Sequence, residues 1–401
     1  MKKSLFSILI VSMFSILVSS CEVINNNSNN TSSILESADN TSNTNDSIEI
    51  TVPIIEGTKG LKYEKMANKN EYQLVGIGTA SDTNIVVASV YEGLPVTTIA
   101  ENAFIGDEAN QALFENKITS LVIPEGIKTL QTRSFINLPS LETVQLPNSL
   151  ENVGDYVFIG CYSMVAYNIK NLQYIGSVSN PCMMLLKANE PKSITSVEID
   201  SRCKFINAYA FNTCLNVKSI VIPEGVKTIG SSAFRLCSVL ETIEFPESLT
   251  FIGDNLFSSC SSLKKLIEGN YTYVGSSNNP YLILIAAGES GSSININSRC
   301  KFIYSEAFSQ DSYIVNAEFP SDSQLLYIGK NAFFYCSLLE SIKIPAGVKY
   351  IGINAFRACS KLSTIIFEGT CKQWEEIKKD INWNEKTNVT SVSCKDGVVN
   401  I

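Results

Sequence analysis

Apolar positions along most of this chain fall into one recurring phase. In residues 233–253 a turn containing Phe234 and Cys237 comes first. Leu240, Ile243 and Phe245 then alternate with polar residues, and Pro246 precedes a second apolar stretch at Leu249 and Ile252. A period of two over Ile243 and Phe245 predicts a short, half-buried strand. Pro246 ends it, because proline donates no ladder hydrogen bond.

The unit returns along the chain. Phenylalanine stands at 104, 135, 158, 211, 234, 257, 308, 333 and 356, with several spacings of 23 and others of 31, 25 or about twice the period. The longer steps mark coils that carry insertions. Cys161, Cys214, Cys237, Cys260, Cys336 and Cys359 each lie three positions after a phenylalanine, and prolines recur at 124, 147, 223, 246, 320 and 345. One such unit cannot bury its own apolar face, so stability must come from stacking on neighbours. The expected fold is a solenoid of short parallel strands, with mostly irregular or short helical returns on the other face and a small C-terminal cap. Nine phenylalanines stacked in one column would make a continuous spine. After Phe104, Phe135 and Phe308 the cysteine position holds Asp107, Leu138 and Asp311, and those coils are expected to be irregular.

A longer period overlies the first. Pro124 and Pro223 step by 99, as do Pro147, Pro246 and Pro345, and Pro181 and Pro280. The sequence of residues 201–206 returns at 298–303. The body therefore reads as a duplicated multi-coil block with an insertion in each copy, at 174–199 and 273–296. In the second, the apolar run 281–287 reaches Gly288 and Gly291, which predicts an extra hairpin.

The N-terminus has a different character. Lys2 and Lys3, an apolar run from Leu5 to Val18 and small residues ending at Ser20 make a secretory signal over residues 1–20. The run is shorter than the roughly 20 residues of a membrane span. Val18-Ser19-Ser20-Cys21 resembles the lipobox of bacterial lipoproteins, in which the cysteine is acylated. Cys21 is thus the candidate lipid-attachment site. Residues 22–50 are mostly Asn, Ser and Thr and cannot bury enough surface to order themselves. The expected organisation is a signal at 1–20, an anchored tether at 21–55, the repeat solenoid at 56–366 and a cap at 367–401.

Charge and composition narrow the chemistry. The formal charge is −8 and becomes −10 when Lys2 and Lys3 leave with the signal. Nucleic acid is not an expected partner, since phosphate binding needs clustered Lys and Arg. Arg202, Lys204, Arg299 and Lys301 repeat as two small basic spots, which a solvated edge also explains. The chain holds no histidine, which removes Ser-His-Asp and Cys-His catalysis and histidine metal ligands. A carboxylate-pair glycosidase needs two opposed acids, but Glu125, Glu224 and Glu247 recur in the Pro-Glu turn and read as structural. No enzyme activity, cofactor or metal is expected. Cysteines spaced by 23 without a CxxC pair lack the metal signature. They should be reduced, buried, small apolar fillers.

The terminal segment carries its own signals. Cys371 and Cys394 lie outside the repeat and are the candidate disulfide of an exported chain. Trp374, Ile377 and Ile381 fall at helical spacing, with Glu375 and Lys379 as an exposed i,i+4 pair. That helix would cover the open apolar end of the last coil.

The outward positions of the strands form the candidate binding face. One column reads Ser120, Thr143, Ser219, Thr242, Asn316, Ser341 and Thr364; its neighbour reads Val122, Gln145, Val221, Glu244, Glu318, Lys343 and Ile366. Hydroxyl residues also suit exposed strand positions simply by bonding across the ladder. Contact with a partner would be spread over many side chains.

Several of these segments resemble the BspA-like branch of bacterial leucine-rich-repeat surface lipoproteins. They are Ile229-Gly230-Ser231-Ser232-Ala233-Phe234, Val221-Ile222-Pro223-Glu224-Gly225-Val226, the entry segment Tyr91 to Ile99, and the terminal Phe367-Glu368-Gly369-Thr370 with Trp374, Trp383 and Cys394-Lys395-Asp396-Gly397. The resemblance covers roughly residues 61–401. It implies a leucine-rich-repeat solenoid on a surface-exposed, often lipid- or wall-attached protein that binds host or neighbouring-cell molecules, so that extracellular or host proteins or glycans are the expected partners of an adhesin-like role. An envelope scaffold or self-associating surface protein is the alternative, and a solute-capturing lipoprotein a weaker one, because such proteins enclose their ligand between lobes.

Overall fold

The computed structural model describes residues 54–67, 69–105, 117–289 and 291–401. The signal, Cys21, most of the tether and Asp107 lie outside the described residues.

The alternation around each proline builds a ladder of short parallel strands. Asn84–Val86, Ser120–Val122 and Thr143–Gln145 pair in register, as do Ser219–Val221 and Thr242–Glu244. Asn316–Ala317, Ser341–Ile344, Thr364–Phe367 and Ser391–Cys394 form the last group. The second apolar stretch of each unit makes a ladder of its own, with strands of two residues. These include Thr228–Ile229 between Phe205–Ile206 and Phe251–Ile252, and Tyr327–Ile328 between Phe302–Ile303 and Tyr350–Ile351. The returns are thus partly extended, and among the described residues helix is confined to Cys371–Glu376.

Where glycine follows the second strand, as at Gly230 and Gly253, it has a steric cause. A Cβ on Gly230 would lie 2.5 Å from the Ala208 amide nitrogen, and one on Gly253 would lie 2.2 Å from that of Ser231. No side chain fits there, which fixes glycine after Ile229 and Ile252.

The Ala-Phe turn is held by left-handed residues on both sides. Tyr209 and Thr213 flank Phe211 at φ 60° and 64°, and Ser232 and Leu236 flank Phe234 at 56° and 61°. Each costs about 1–2 kcal/mol for a non-glycine residue. The cost is offset because the turn amides bond to the next coil: Tyr209 to the Ser231 carbonyl at 3.0 Å, Phe211 to Ala233 at 2.8 Å and Thr213 to Arg235 at 2.9 Å.

The phenylalanine spine is not continuous. Phe104, Phe135 and Phe158 stack at centroid distances of 4.8 and 5.5 Å. Phe211, Phe234 and Phe257 form a second stack at 5.6 and 6.3 Å, and Phe308, Phe333 and Phe356 a third at 4.8 and 5.3 Å. Each break falls at an insertion. There the chain builds a three-stranded antiparallel unit, Tyr167–Ile169, Leu172–Ile175 and Met184–Ala188, and again Leu266–Glu268, Tyr271–Val274 and Ile283–Ala287. Its last strand rejoins the two-residue ladder in parallel with Phe205–Ile206 or Phe302–Ile303. The hairpin expected in the second insert, turning at Gly288 and Gly291, is replaced by one that turns before the apolar run, because Ile283–Ala287 pairs back with Tyr271–Val274; the first insert builds the same unit, and the two units begin at Tyr167 and Leu266. These coils fill their core with Tyr174 or Tyr273 in place of phenylalanine. Phe104, Phe135 and Phe308, whose coils lack the cysteine, nonetheless stack normally.

The cap imitates one further coil. Lys378–Lys379 pairs with Tyr350–Ile351, and the Phe356 and Ala358 amides bond to the Trp383 and Glu385 carbonyls at 2.7 and 2.8 Å. Trp383 takes the next aromatic place, 6.2 Å from Phe356. Thr370 caps the short helix through a reciprocal box with Gln373, and Trp374 packs on Phe367 at 5.4 Å. The helix ends at Glu376, so Ile381 does not lie on a buried helical face and is exposed. Lys379 likewise leaves the expected pair with Glu375: its ammonium donates to the Trp374 and Ile377 carbonyls at 2.6 and 3.0 Å and sits 4.6 Å over the Trp374 ring. Burial pulls this lysine down to about 8.

Candidate binding face

Strand register places the two outward columns side by side. Ser120 lies opposite Asn84 and Thr143, Ser219 opposite Thr242, and Ser341 between Asn316 and Thr364. In the second column Val122 pairs with Gln145, Val221 with Glu244, and Lys343 with Ile366. Glu318 lies just past the end of its strand and is exposed. The antiparallel inserts divide this face into three separate ladders, so the fourteen residues form three patches.

Parts of the hydroxyl column satisfy one another. The Ser120 hydroxyl donates to Asn84 Oδ1 at 2.8 Å, and Ser341 donates to Asn316 Oδ1 at 2.7 Å. At these positions cross-strand bonding accounts for the residue type. Elsewhere the face is more open: Val221 is 63% exposed and Ile366 41%. Lys343 pairs with Glu368 at 2.8 Å, and Glu244 accepts from the Ser277 amide and hydroxyl at 2.9 and 3.0 Å.

Four features escaped the sequence reading. Asn84 and Val86 begin the first ladder, and Ser393 extends the last, opposite Ile366. Ala166 and Lys265 stand 23 residues after Thr143 and Thr242, where the Val165 and Lys264 amides bond to the Glu142 and Glu241 carbonyls at 2.8 and 2.9 Å, and carrying the repeat spacing into the insertions would have found them. Beside the second insert, a cleft of about 300 Å³ opens next to the face, lined by Thr242, Glu244, Lys264, Lys265, Leu266 and Ser277. On its other side a cleft of about 370 Å³ lies between Phe257 and Ile285, under a rim of Asp254, Lys265, Tyr304, Glu306 and Lys330.

The remaining candidates have structural partners. Arg202 pairs with Asp200 at 2.8 Å, holding that carboxyl well below the usual range, and also donates to Cys182 Sγ at 3.3 Å. Lys301 pairs with Glu247 and Arg299 donates to the Asn278 carbonyl. Glu125 accepts from the Asn148 and Ser149 amides at 2.8 and 2.9 Å, and Glu224 from Glu247 at 3.0 Å. The Pro-Glu carboxylates thus tie one coil to the next.

The repeat thiols are free and buried. They do more than fill space: Cys161 donates to the Phe135 carbonyl of the preceding coil at 3.2 Å, Cys237 to Phe211 at 3.1 Å, Cys260 to Phe234 at 3.0 Å and Cys359 to Phe333 at 2.9 Å. A sulfhydryl is a weak donor, and it takes a second lone pair here, since the Phe211, Phe234 and Phe333 carbonyls also accept from the Cys214, Cys237 and Cys336 amides at 3.1, 3.2 and 3.3 Å. Burial pushes Cys260 up to about 12 and Cys161 up to about 11, which keeps both as thiols. Cys371 and Cys394 are instead half-exposed, and both lie in the cap.

The sequence profile described as the BspA type leucine rich repeat region matches residues 97–197, 187–278 and 287–401. No match is found among curated proteins. Among solved structures, a leucine rich cell surface protein from Faecalibacterium prausnitzii A2-165 is 19% identical over 82% of this chain and 98% of its own, with a TM-score of 0.30. A leucine-rich repeat protein from Bacteroides ovatus ATCC 8483 is 20% identical over 84% and 98%, at 0.29, and the pneumococcal vaccine antigen PcpA 16% over 86% and 88%, at 0.27. With that profile spanning most of its length, the chain belongs to the BspA-type leucine-rich-repeat family.

Proposed function

We propose that this protein is exported, held at a membrane through an acylated Cys21, and binds extracellular or host proteins or glycans through its strand face. The observation that carries the reading is the open character of that face, where Val221 and Ile366 stand exposed in a polar surrounding. Apolar anchors ringed by polar groups are what a macromolecular partner uses. The cleft beside Glu244 supplies a concave element next to Val221, the strand partner of Glu244.

The folded unit, residues 52–401, is screened against matrix proteins, glycans and whole cells. Binding is expected, and Val221→Asp combined with Ile366→Asp should weaken it on the order of tenfold or more. Absence of binding to any of these sinks the adhesin reading, and one tight small ligand would favour solute capture. Export and anchoring are tested separately: intact cells should lose the protein to external protease, and Cys21→Ala should abolish incorporation of labelled fatty acid.

A further inference from the structure

Eleven cysteines fall among the described residues, and two differ from the rest in their exposure. The repeat and insert thiols are buried, whereas Cys371 and Cys394 are half-exposed. Cys371 opens the cap helix, Cys371–Glu376, and Cys394 ends the strand Ser391–Cys394. The Cys371 amide donates to Asp396 Oδ1 at 2.7 Å, which fixes the helix start against the hairpin turn.

Gly397 supplies a second, independent observation. It pairs directly with Cys394 across the hairpin. A Cβ on Gly397 would lie 3.3 Å from Cys371 Sγ, closer than a sulfur comfortably tolerates. The hairpin therefore leaves room opposite Cys394 for the Cys371 sulfur.

We propose that Cys371 and Cys394 are a modification site at which a disulfide forms and clasps the cap. The oxidant is a disulfide-bearing compound reached by exchange. A cysteine thiolate attacks one sulfur of the donor and expels a thiolate. The second cysteine thiolate then attacks the mixed disulfide, the intramolecular S–S bond forms, and the second donor thiolate leaves. The two protons pass to the departing thiols, so the cysteine pair is oxidised as the donor is reduced to two thiols. Local desolvation, the Cys394 thiol and the Asp396 carboxylate push the Cys371 thiol up to about 11, so the rate rises with pH. The link encloses Trp374 and Trp383, which cover the end of the third aromatic stack. It holds that end against local opening. The clasp stands apart from the binding reading, because it is measured without any ligand.

The full chain is equilibrated with oxidised glutathione, then analysed by non-reducing peptide mapping and by hydrogen exchange with and without reductant. A peptide joining Cys371 to Cys394 is expected, with the nine buried thiols alkylated only after denaturation. Reductant should speed exchange of the amides in residues 371–400 by on the order of tenfold or more. The same treatment should leave C371S/C394S unchanged. The proposal is overturned if both sulfurs remain alkylatable after oxidation, or if either links to Cys21 or to another chain. It is equally overturned if reductant loosens the cap of the double variant as much as that of the native chain. Exchange in the central coils reports whether the double variant folds, and should it not, the native chain's mapping and reductant response decide alone.

Discussion

The two copies of the duplicated block solve the same packing problem differently. Where the first insert interrupts the spine, Asp155 is buried and accepts from the Ser231 amide at 2.9 Å and from the Ser231 hydroxyl. Tyr156 and Tyr209 lie over this junction with centroids 6.1 Å apart, and the Arg133 guanidinium sits 5.7 Å from the Tyr156 ring. At the second insert, Asn255, Glu306 and Lys330 occupy the places of Tyr156, Tyr209 and Ser231. Phe257 is left half-buried and the 370 Å³ cleft opens beside it. Tyr304, standing where the first copy has Asn207, tilts over Phe257 at 6.1 Å and accepts from the Leu256 amide. One backbone plan thus yields a sealed seam and an open one, and side chains at three equivalent positions account for the difference.

The sharpest way to break this comparison is to remove one aromatic ring from each setting. Phe234, fully buried within its stack, should cost about 3–5 kcal/mol as Phe234→Ala. Phe257→Ala should cost roughly half of that, because less of its surface leaves water on folding. Urea denaturation of both variants measures it, and equal losses would mean that the second seam is as closed as the first.

Exchanging the seams is the next test. Tyr156→Asn with Tyr209→Glu should destabilise the chain by about 2 kcal/mol. The reverse pair, Asn255→Tyr with Glu306→Tyr, should fill the cleft and gain up to about 1 kcal/mol. The backbone allows both, since all four positions share a left-handed φ between 54° and 65°. Melting temperatures moving in the same direction for the two exchanges would contradict the account.

A smaller effect lies in pH. Burial raises the Asp155 carboxyl above its ordinary range. The folded chain therefore holds this proton to higher pH than the unfolded chain. Stability from this group is greatest in acid, falls as pH rises from about 3.9 through the folded value, and is then level. Asp155→Asn keeps an acceptor for the Ser231 amide and should flatten that slope, as read from denaturation midpoints across the acid range. Asp254 is raised for the same reason but is partly relieved by the Ser305 hydroxyl and, to a smaller extent, by Lys330. Lys330→Ser should lift it further, a shift visible in its carboxyl carbon resonance and the smallest effect of the series.

Much of this protein was legible in its order of residues. The spacing of 23 between Phe211, Phe234 and Phe257 sets which side chains meet on neighbouring coils, because a coil of fixed length returns each position to the same place. Strand positions, the buried thiols, the Pro-Glu ties and the terminal cap all follow from that local rule. Other features depend on contacts that the period does not reach. The Asp155 to Ser231 bond spans 76 residues and the Asp254 to Ser305 bond 51, both across an insert whose own folding decides how far the chain advances. The spine divides for that reason, the binding face becomes three ladders, and one seam stays open. Ile381 and Lys379 escaped for a related cause, since pairing of Lys378–Lys379 with Tyr350–Ile351 outweighs the helical spacing of their sequence. Composition and period specify each coil; only the packed chain determines what lies between the coils, because there the partners are distant in sequence and chosen by shape.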